Sequence, residues 1–320
     1  MAYSLENRLV IGVSTRTLFQ LNKENQIFEK EGVEAYSTYQ KEHEDEILKP
    51  GPGFSLIRSL LQLNELPGQD NRVEVILMSK NSPDISLRIF HSIESYGLNI
   101  TRAVFTSGAP LTPYLTAFHT DLYLSACEAD VQAAIDAGIA AGIICGDGRA
   151  EYGEGRKDER PCIRIAFDGD AVLFSDEAEQ IFQEQGLEAF ESSEKANAAL
   201  PLHAGPFARF LKILSDLQRE FDAEDMPIRT ALVTARSAPA HERVIRTLRS
   251  WNVRIDEAFF LGGITKREVL SAFGAQIFFD DQPGHTLQAA EVVPAARVPL
   301  RTRVGESNIY RLERKMNEVS

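Results

Sequence analysis

A set of landmarks that recurs in one order at one spacing restricts the fold of this chain more than any other feature. A short apolar stretch at residues 9–13 has a counterpart at 163–167, so that Ser14 stands where Asp168 stands, 154 positions away. Gly51-Pro52 and Gly205-Pro206 each precede a helical pattern at the same offset. Leu77-Met78-Ser79 with Ser82 answers to Leu232-Val233-Thr234 with Ser237, at an offset of 155. Phe105 and Gly108 answer to Phe260 and Gly263, and Leu122-Tyr123-Leu124 to Ile277-Phe278-Phe279, again at 155. Any two α/β halves share strands and helices, but unrelated halves do not hold register through five elements. Self-similarity with a period of one domain reads as two copies of one unit. The 320 residues suit two domains of roughly 150 residues each. The charged, glycine-containing stretch at 152–160 places the boundary, giving domains at 1–155 and 156–320.

Residues 9–13, 73–78, 103–106, 122–124, 163–167, 230–233 and 277–279 read as strands separated by helical patterns, one of which puts Phe54, Ile57, Leu60 and Leu61 on a single face. This alternation predicts an α/β fold with a doubly wound, Rossmann-like parallel sheet. Residues 22–49 read as a polar, charged segment. Residues 133–145 read as the most apolar helical stretch, too short and too interrupted by Asp136 to span a bilayer.

A net charge of −13 excludes a large phosphate-backbone footprint, so no nucleic-acid polymer is expected as a partner. An acidic chain that handles phosphate must instead focus positive charge locally, through a metal, a lysine or helix N-termini. Cys127, Cys145 and Cys162 have neither disulfide-framework nor zinc spacing and read as buried thiols of a reducing compartment. Residues 1–8 are polar and carry Glu6 before any apolar run, unlike a signal peptide, which predicts a cytoplasmic protein with no membrane partner.

Asp168-Gly169-Asp170 follows the alternating strand 163–167, so two carboxylates stand at its carboxyl edge, where open α/β sheets bind ligands. Gly169 is expected to give the sharp turn. An Asp-Gly pair is often only a turn. A calcium loop is ruled out, because its positions 5 and 6 would be Val172 and Leu173. Two close carboxylates repel unless a cation or a shared proton relieves them, and a hard divalent ion such as Mg²⁺ suits them best. Thr234, Thr265 with Lys266, and Asp280 with Asp281 follow other strands or open helices of the same half. The first half has Ser14, Arg16, Leu111, Ser125 and Ala126 at the positions of Asp168, Asp170, Lys266, Asp280 and Asp281, so the acids occur in the second copy alone.

Asp168-Gly169-Asp170, Thr234, Lys266 and Asp280-Asp281 resemble the four motifs of the haloacid dehalogenase-like phosphohydrolases. The strings Phe167-Asp-Gly-Asp-Ala-Val-Leu-Phe-Ser-Asp-Glu177, Val233-Thr-Ala-Arg-Ser-Ala-Pro239 and Ile277-Phe-Phe-Asp-Asp-Gln282 resemble the cytosolic type I 5′-nucleotidases in particular. The resemblance implies a haloacid dehalogenase-type core with a helical cap, preceded by a degenerate copy. It also implies hydrolysis of a nucleoside 5′-monophosphate, AMP by family expectation. Asp168 would attack phosphorus, Asp170 would serve as general acid and base, Thr234 would bind a phosphoryl oxygen and Lys266 would neutralise charge. Mg²⁺ would be held by Asp168, the Asp170 carbonyl and one of Asp280 and Asp281, with Asp281 favoured as the direct ligand.

Residues 175–227, including the helix after Gly205, read as a cap carrying substrate selectivity. Phe174, Ser175, Asp176, Glu177 and His203 are the candidate nucleotide contacts, with Thr234, Ala235 and Arg236 at the phosphate. Arg236 is placed to reach a phosphate bidentately. A phosphatase for another small phosphomonoester, and a nucleotide-sensing protein without turnover, are the alternative readings. A homo-oligomer is left open.

Overall fold

The apolar runs form strands buried on both faces, as central strands of a covered parallel sheet must be. The computed structural model describes residues 4–66, 72–146, 162–222 and 226–302. In chain order the strands are β1 (Leu9–Val13), β2 (Val73–Ser79), β3 (Arg102–Phe105), β4 (Leu122–Ser125), β5 (Ala140–Cys145), β6 (Ile163–Phe167), β7 (Ile228–Thr234), β8 (Glu257–Phe260), β9 (Ile277–Asp280) and β10 (Ala295–Arg297). They make one ten-stranded sheet in the order β3-β2-β1-β4-β5-β10-β9-β6-β7-β8. Every neighbouring pair is parallel except β5 with β10, which run antiparallel with Ala295 opposite Cys145 and Arg297 opposite Ile143. The α/β class with a largely parallel sheet is as the sequence predicts.

Each half has the same strand order, β3-β2-β1-β4-β5 and β8-β7-β6-β9-β10, and the halves meet edge to edge. Finer features keep the register too. Phe19 bridges Pro50 as Phe174 bridges Ala204. Gly51 and Gly205 lie under these bridges, where a Cβ would come 2.7 Å from the Thr17 carbonyl and 2.3 Å from the Phe174 carbonyl respectively. Gly32 and Gly186 kink long helices with nearly identical backbones, at φ 86° and ψ −176° against φ 82° and ψ −179°. Left-handed residues recur at an offset of 155 in the pairs Gly97 and Asn252, Ser107 and Gly262, Gly108 and Gly263, and His119 and Gly274.

One hydrophobic core runs from Leu9 and Val10 of the first half through Phe167, Phe207 and Phe279 to Val298. The halves are also tied by Gln276 to Ser59 (2.9 Å) and by Arg72 to Glu220 (2.6 Å). The boundary expected at 152–160 lies outside the described residues.

Several local expectations are corrected. Residues 133–145 do not form one helix: the helix Glu128–Asp136 ends, Gly138 turns the chain, and Ala140–Cys145 is β5. The polar segment at 22–49 contains the helix Asn22–Glu42, the counterpart of Glu177–Ala196. The helix Ala208–Gln218 is not part of a cap, because Phe210 and the adjoining Phe207 pack edge-on against Phe167 of the sheet (6.2 Å each). The three cysteines are partly exposed, and none is in a disulfide. Among the described residues no helix is long and apolar enough to cross a membrane.

Candidate active site

The carboxyl ends of β6, β7 and β9 bring the sequence motifs together. The Asp168 amide donates to the Phe279 carbonyl (2.8 Å), which extends the ladder by one residue and fixes the Asp168 side chain at the sheet edge. Beyond it the chain makes a wide turn, closed by the Phe174 amide donating to the Gly169 carbonyl (2.9 Å). The residue with positive φ in this turn is Ala171 (59°), not Gly169. Gly169 is needed for space, since a Cβ there would lie 3.3 Å from Thr234 Oγ1 and 3.4 Å from the Phe174 ring.

Asp168, Asp280 and Asp281 offer carboxylate oxygens within 4.8 Å of one another. Lys266 Nζ donates to Asp280 Oδ2 (2.7 Å) and lies 2.8 Å from Asp168 Oδ1. Asp280, fully buried, also accepts from the Gln282 amide (2.8 Å) and meets His285 Nδ1 (3.2 Å). Burial would raise its pKa, but the bonds from His285 and Lys266 hold it below the ordinary carboxylate value. Lys266 is held above its ordinary value: burial works against its charge, and Asp168 and Asp280 outweigh burial.

The other two acids go the opposite way. Burial pushes Asp168 up to about 7 against the pull of Lys266, with Asp280 and Asp170 adding to the rise. Burial, then repulsion from Asp168 and Asp280, pushes Asp281 up to about 8. One ammonium does not neutralise three carboxylates. The residual repulsion and the all-oxygen donor set fit a hard divalent cation such as Mg²⁺.

Thr234 ends β7, nearly fully buried, and its Oγ1 accepts from the Arg236 amide (3.2 Å), which leaves the hydroxyl hydrogen free to donate. Arg236 forks onto Asp170, Nε to Oδ2 at 2.8 Å and Nη2 to Oδ1 at 2.7 Å. It also pairs with Glu194 of the helix Glu177–Ala196 and lies 5.3 Å from the Phe190 ring centroid. Glu194 in turn accepts from Arg243 (2.7 Å). In this structure Arg236 thus grips the carboxylate expected to act as acid and base, and ties it to the helix Glu177–Ala196.

The remaining candidates divide. Phe174, expected at the nucleotide, is fully buried and packs on Trp251 at 5.6 Å. Ser175 lies beside it with a buried Oγ that has no hydrogen-bond partner among the described residues. Asp176 accepts from Gln180 (2.6 Å), and Ala235 is exposed. Glu177 and His203 face solvent 3.8 Å apart. Sequence reasoning missed Glu194, Arg243, Phe190 and His285. Only His285 had a local signal, standing four residues past Asp281.

A profile of the 5′-nucleotidase family matches residues 1–304. Cytosolic 5′-nucleotidase 1B of Homo sapiens is 39% identical over 293 residues, 88% of this chain and 47% of that protein, so the chain spans about half the length of the curated relative it matches. Among solved structures, histidinol dehydrogenase from Elizabethkingia anophelis aligns with a TM-score of 0.21 and 11% identity, covering 78% of this chain and 51% of that one; at that score the likeness carries no argument. The profile match takes in both halves and every motif at the sheet edge, and the chain belongs to the 5′-nucleotidase family, alongside the cytosolic type I protein it resembles.

Proposed function

We propose that the chain is a Mg²⁺-dependent 5′-nucleotidase that hydrolyses nucleoside 5′-monophosphates, AMP foremost, to nucleoside and phosphate. The observation that carries this reading is the cluster of Asp168, Asp280 and Asp281, the first two paired with Lys266, at the sheet edge that also carries the buried Thr234. Asp168 is the nucleophile: its Oδ bonds to phosphorus as the bond from phosphorus to the ribose O5′ breaks, giving an aspartyl-phosphate. Asp170 protonates the departing O5′, then takes a proton from the water that attacks the aspartyl-phosphate and releases phosphate. Lys266 favours the Asp168 anion and holds it in place, and Thr234 donates to a phosphoryl oxygen. Arg236 is a positioning residue that orients Asp170. Asp168 and Asp281 would hold Mg²⁺, with Asp280 fixed behind them by Lys266 and His285, and the ion when bound would offset charge on the phosphoryl oxygens.

We further infer that the two halves are copies of one haloacid dehalogenase-type unit and that the first is catalytically silent. The common strand order and the matched left-handed positions support the first point. Ser14, Arg16, Ser125 and Ala126 in place of acids support the second, since Mg²⁺ needs compensating carboxylates. Three thiols outside any disulfide fit a cytoplasmic setting. Phosphate release from a panel of nucleoside monophosphates and unrelated phosphomonoesters, with and without Mg²⁺, tests the reading. The expected result is Mg²⁺-dependent release that favours a nucleotide, and equal rates on all esters would reassign the chain to general phosphatase chemistry.

A further inference from the structure

The first half keeps the cavity but not the acids. A space of about 490 Å³, within the usual range for a small-molecule pocket, opens at the carboxyl ends of β1, β2 and β4. Ser14, Ser79 and Ser125 line it at the positions that Asp168, Thr234 and Asp280 occupy in the second half. Arg16 lines it where Asp170 would stand and forms no ion pair among the described residues. The other charged groups on its wall are already matched: Glu24 pairs with the buried Arg88 (2.8 Å), and Lys80 with Asp130 (2.5 Å). What remains at the sheet edge is a group of hydroxyls with one cation outside any ion pair, a set suited to an oxyanion rather than to a metal.

Two further observations point to a ligand. Tyr123, fully buried, lines the cavity with a hydroxyl whose neighbouring side-chain partner is the Ser125 hydroxyl on the same wall. An acceptor on a bound molecule would complete the hydrogen bonding of this buried pair of hydroxyls. Across the cavity the helix Asn22–Glu42 presents Phe28 and Tyr36 edge to face at 5.9 Å, with Phe28 48% exposed. The corresponding helix of the second half presents Phe182 and Phe190 in the same arrangement at 6.3 Å. A phosphate at the sheet edge and a planar group against the aromatic pair would fill the space between them.

We propose that the first half binds a nucleoside monophosphate without a divalent ion and without turning it over. Its identity as a nucleotide rests on the nucleotide reading of the second half; its binding as an organic phosphate does not. The test uses the full chain carrying Asp168→Asn, with AMP titrated calorimetrically in chelator. One AMP should bind per chain, and Arg16→Glu added to that protein should weaken binding by at least about tenfold, the loss expected for one charge-assisted hydrogen bond. Tyr123→Phe should weaken it severalfold. Adenosine and inorganic phosphate, titrated separately, should each bind more weakly than AMP. In the otherwise native chain, Arg16→Glu should leave Mg²⁺-dependent phosphate release from AMP within a few fold of the parent. Absence of AMP binding in chelator, or binding unchanged by Arg16→Glu, overturns the proposal. If Arg16→Glu does not fold, Arg16→Gln is read in its place with the same expected sign. Chelator-resistant, Arg16-dependent binding in a chain that hydrolyses no nucleotide would keep this proposal while removing the catalytic one.

Discussion

Arg236 grips both carboxylate oxygens of Asp170, at 2.8 and 2.7 Å, from a nearly fully buried position. A fork of this kind fixes the plane of the carboxylate, which an ammonium cannot do. Arg236→Lys should therefore lower kcat about 10- to 100-fold, a share of the usual gain from general acid–base catalysis, and change KM for AMP less. The pH–rate profile separates this from a folding defect, since a merely structural role would leave its shape unchanged. Arg236→Ala should also destabilise the protein by about 3–5 kcal/mol, because it leaves Glu194 buried with one partner fewer.

The raised values of Asp168 and Asp281 set the pH behaviour of the metal-free protein. Both acids bind protons more tightly folded than unfolded, at about 7 and 8 against an ordinary 3.8. Their contribution to stability is therefore present at and below about pH 4 and is lost as pH rises through 7 to 8. In chelator, the melting temperature should fall between pH 6 and pH 8.5 by more than it does in Asp281→Asn. Mg²⁺ should recover more of it at pH 8.5 than at pH 6. Equal recovery at both values would remove the acids as the cause.

Gly142 of β5 lies at the seam between the halves, where a Cβ would come 2.9 Å from Ala296 Cβ and 3.2 Å from the Phe279 ring. Gly142→Ala should cost about 1–3 kcal/mol, the usual penalty for overpacking a filled core. Because one core spans both halves, a single cooperative melt should shift as a whole. A fragment of residues 155–320 would expose that core and should be unstable.

Phe182 stands on the helix Glu177–Ala196, 44% exposed and edge-on to Phe190. Phe182→Ala should raise KM for AMP severalfold and leave hydrolysis of a small generic phosphate ester nearly unchanged. Equal effects on both would remove this helix from substrate selection.

The strands that carry the chemistry were legible in the sequence because each joins a buried apolar run to a polar break. Residues 9–13 and 163–167 match β1 and β6 at both ends. The two strands that join the halves were not legible. Ala140–Cys145 is an apolar run of small residues with no alternation, which periodicity cannot tell from buried helix, and Ala295–Arg297 has only three residues. At the site, Asp168, Thr234, Lys266, Asp280 and Asp281 could be named from strand ends. The grip of Glu194 and Arg243 on Arg236 could not, since a glutamate inside a polar helix reads as solvated until a partner from another element buries it. The helix at Asn22–Glu42 escaped for a related reason, as its polar composition hides the aromatic pair at Phe28 and Tyr36.

The central claim is that Asp168 attacks phosphorus, and the most direct measurement is single-turnover phosphate release from AMP by Asp168→Asn in saturating Mg²⁺, beside a melting curve that shows the variant folded. The amide keeps the shape of the side chain and removes the nucleophile and a metal charge. The account predicts no phosphate above the uncatalysed background. Release at a near-parental rate from the folded variant would contradict it.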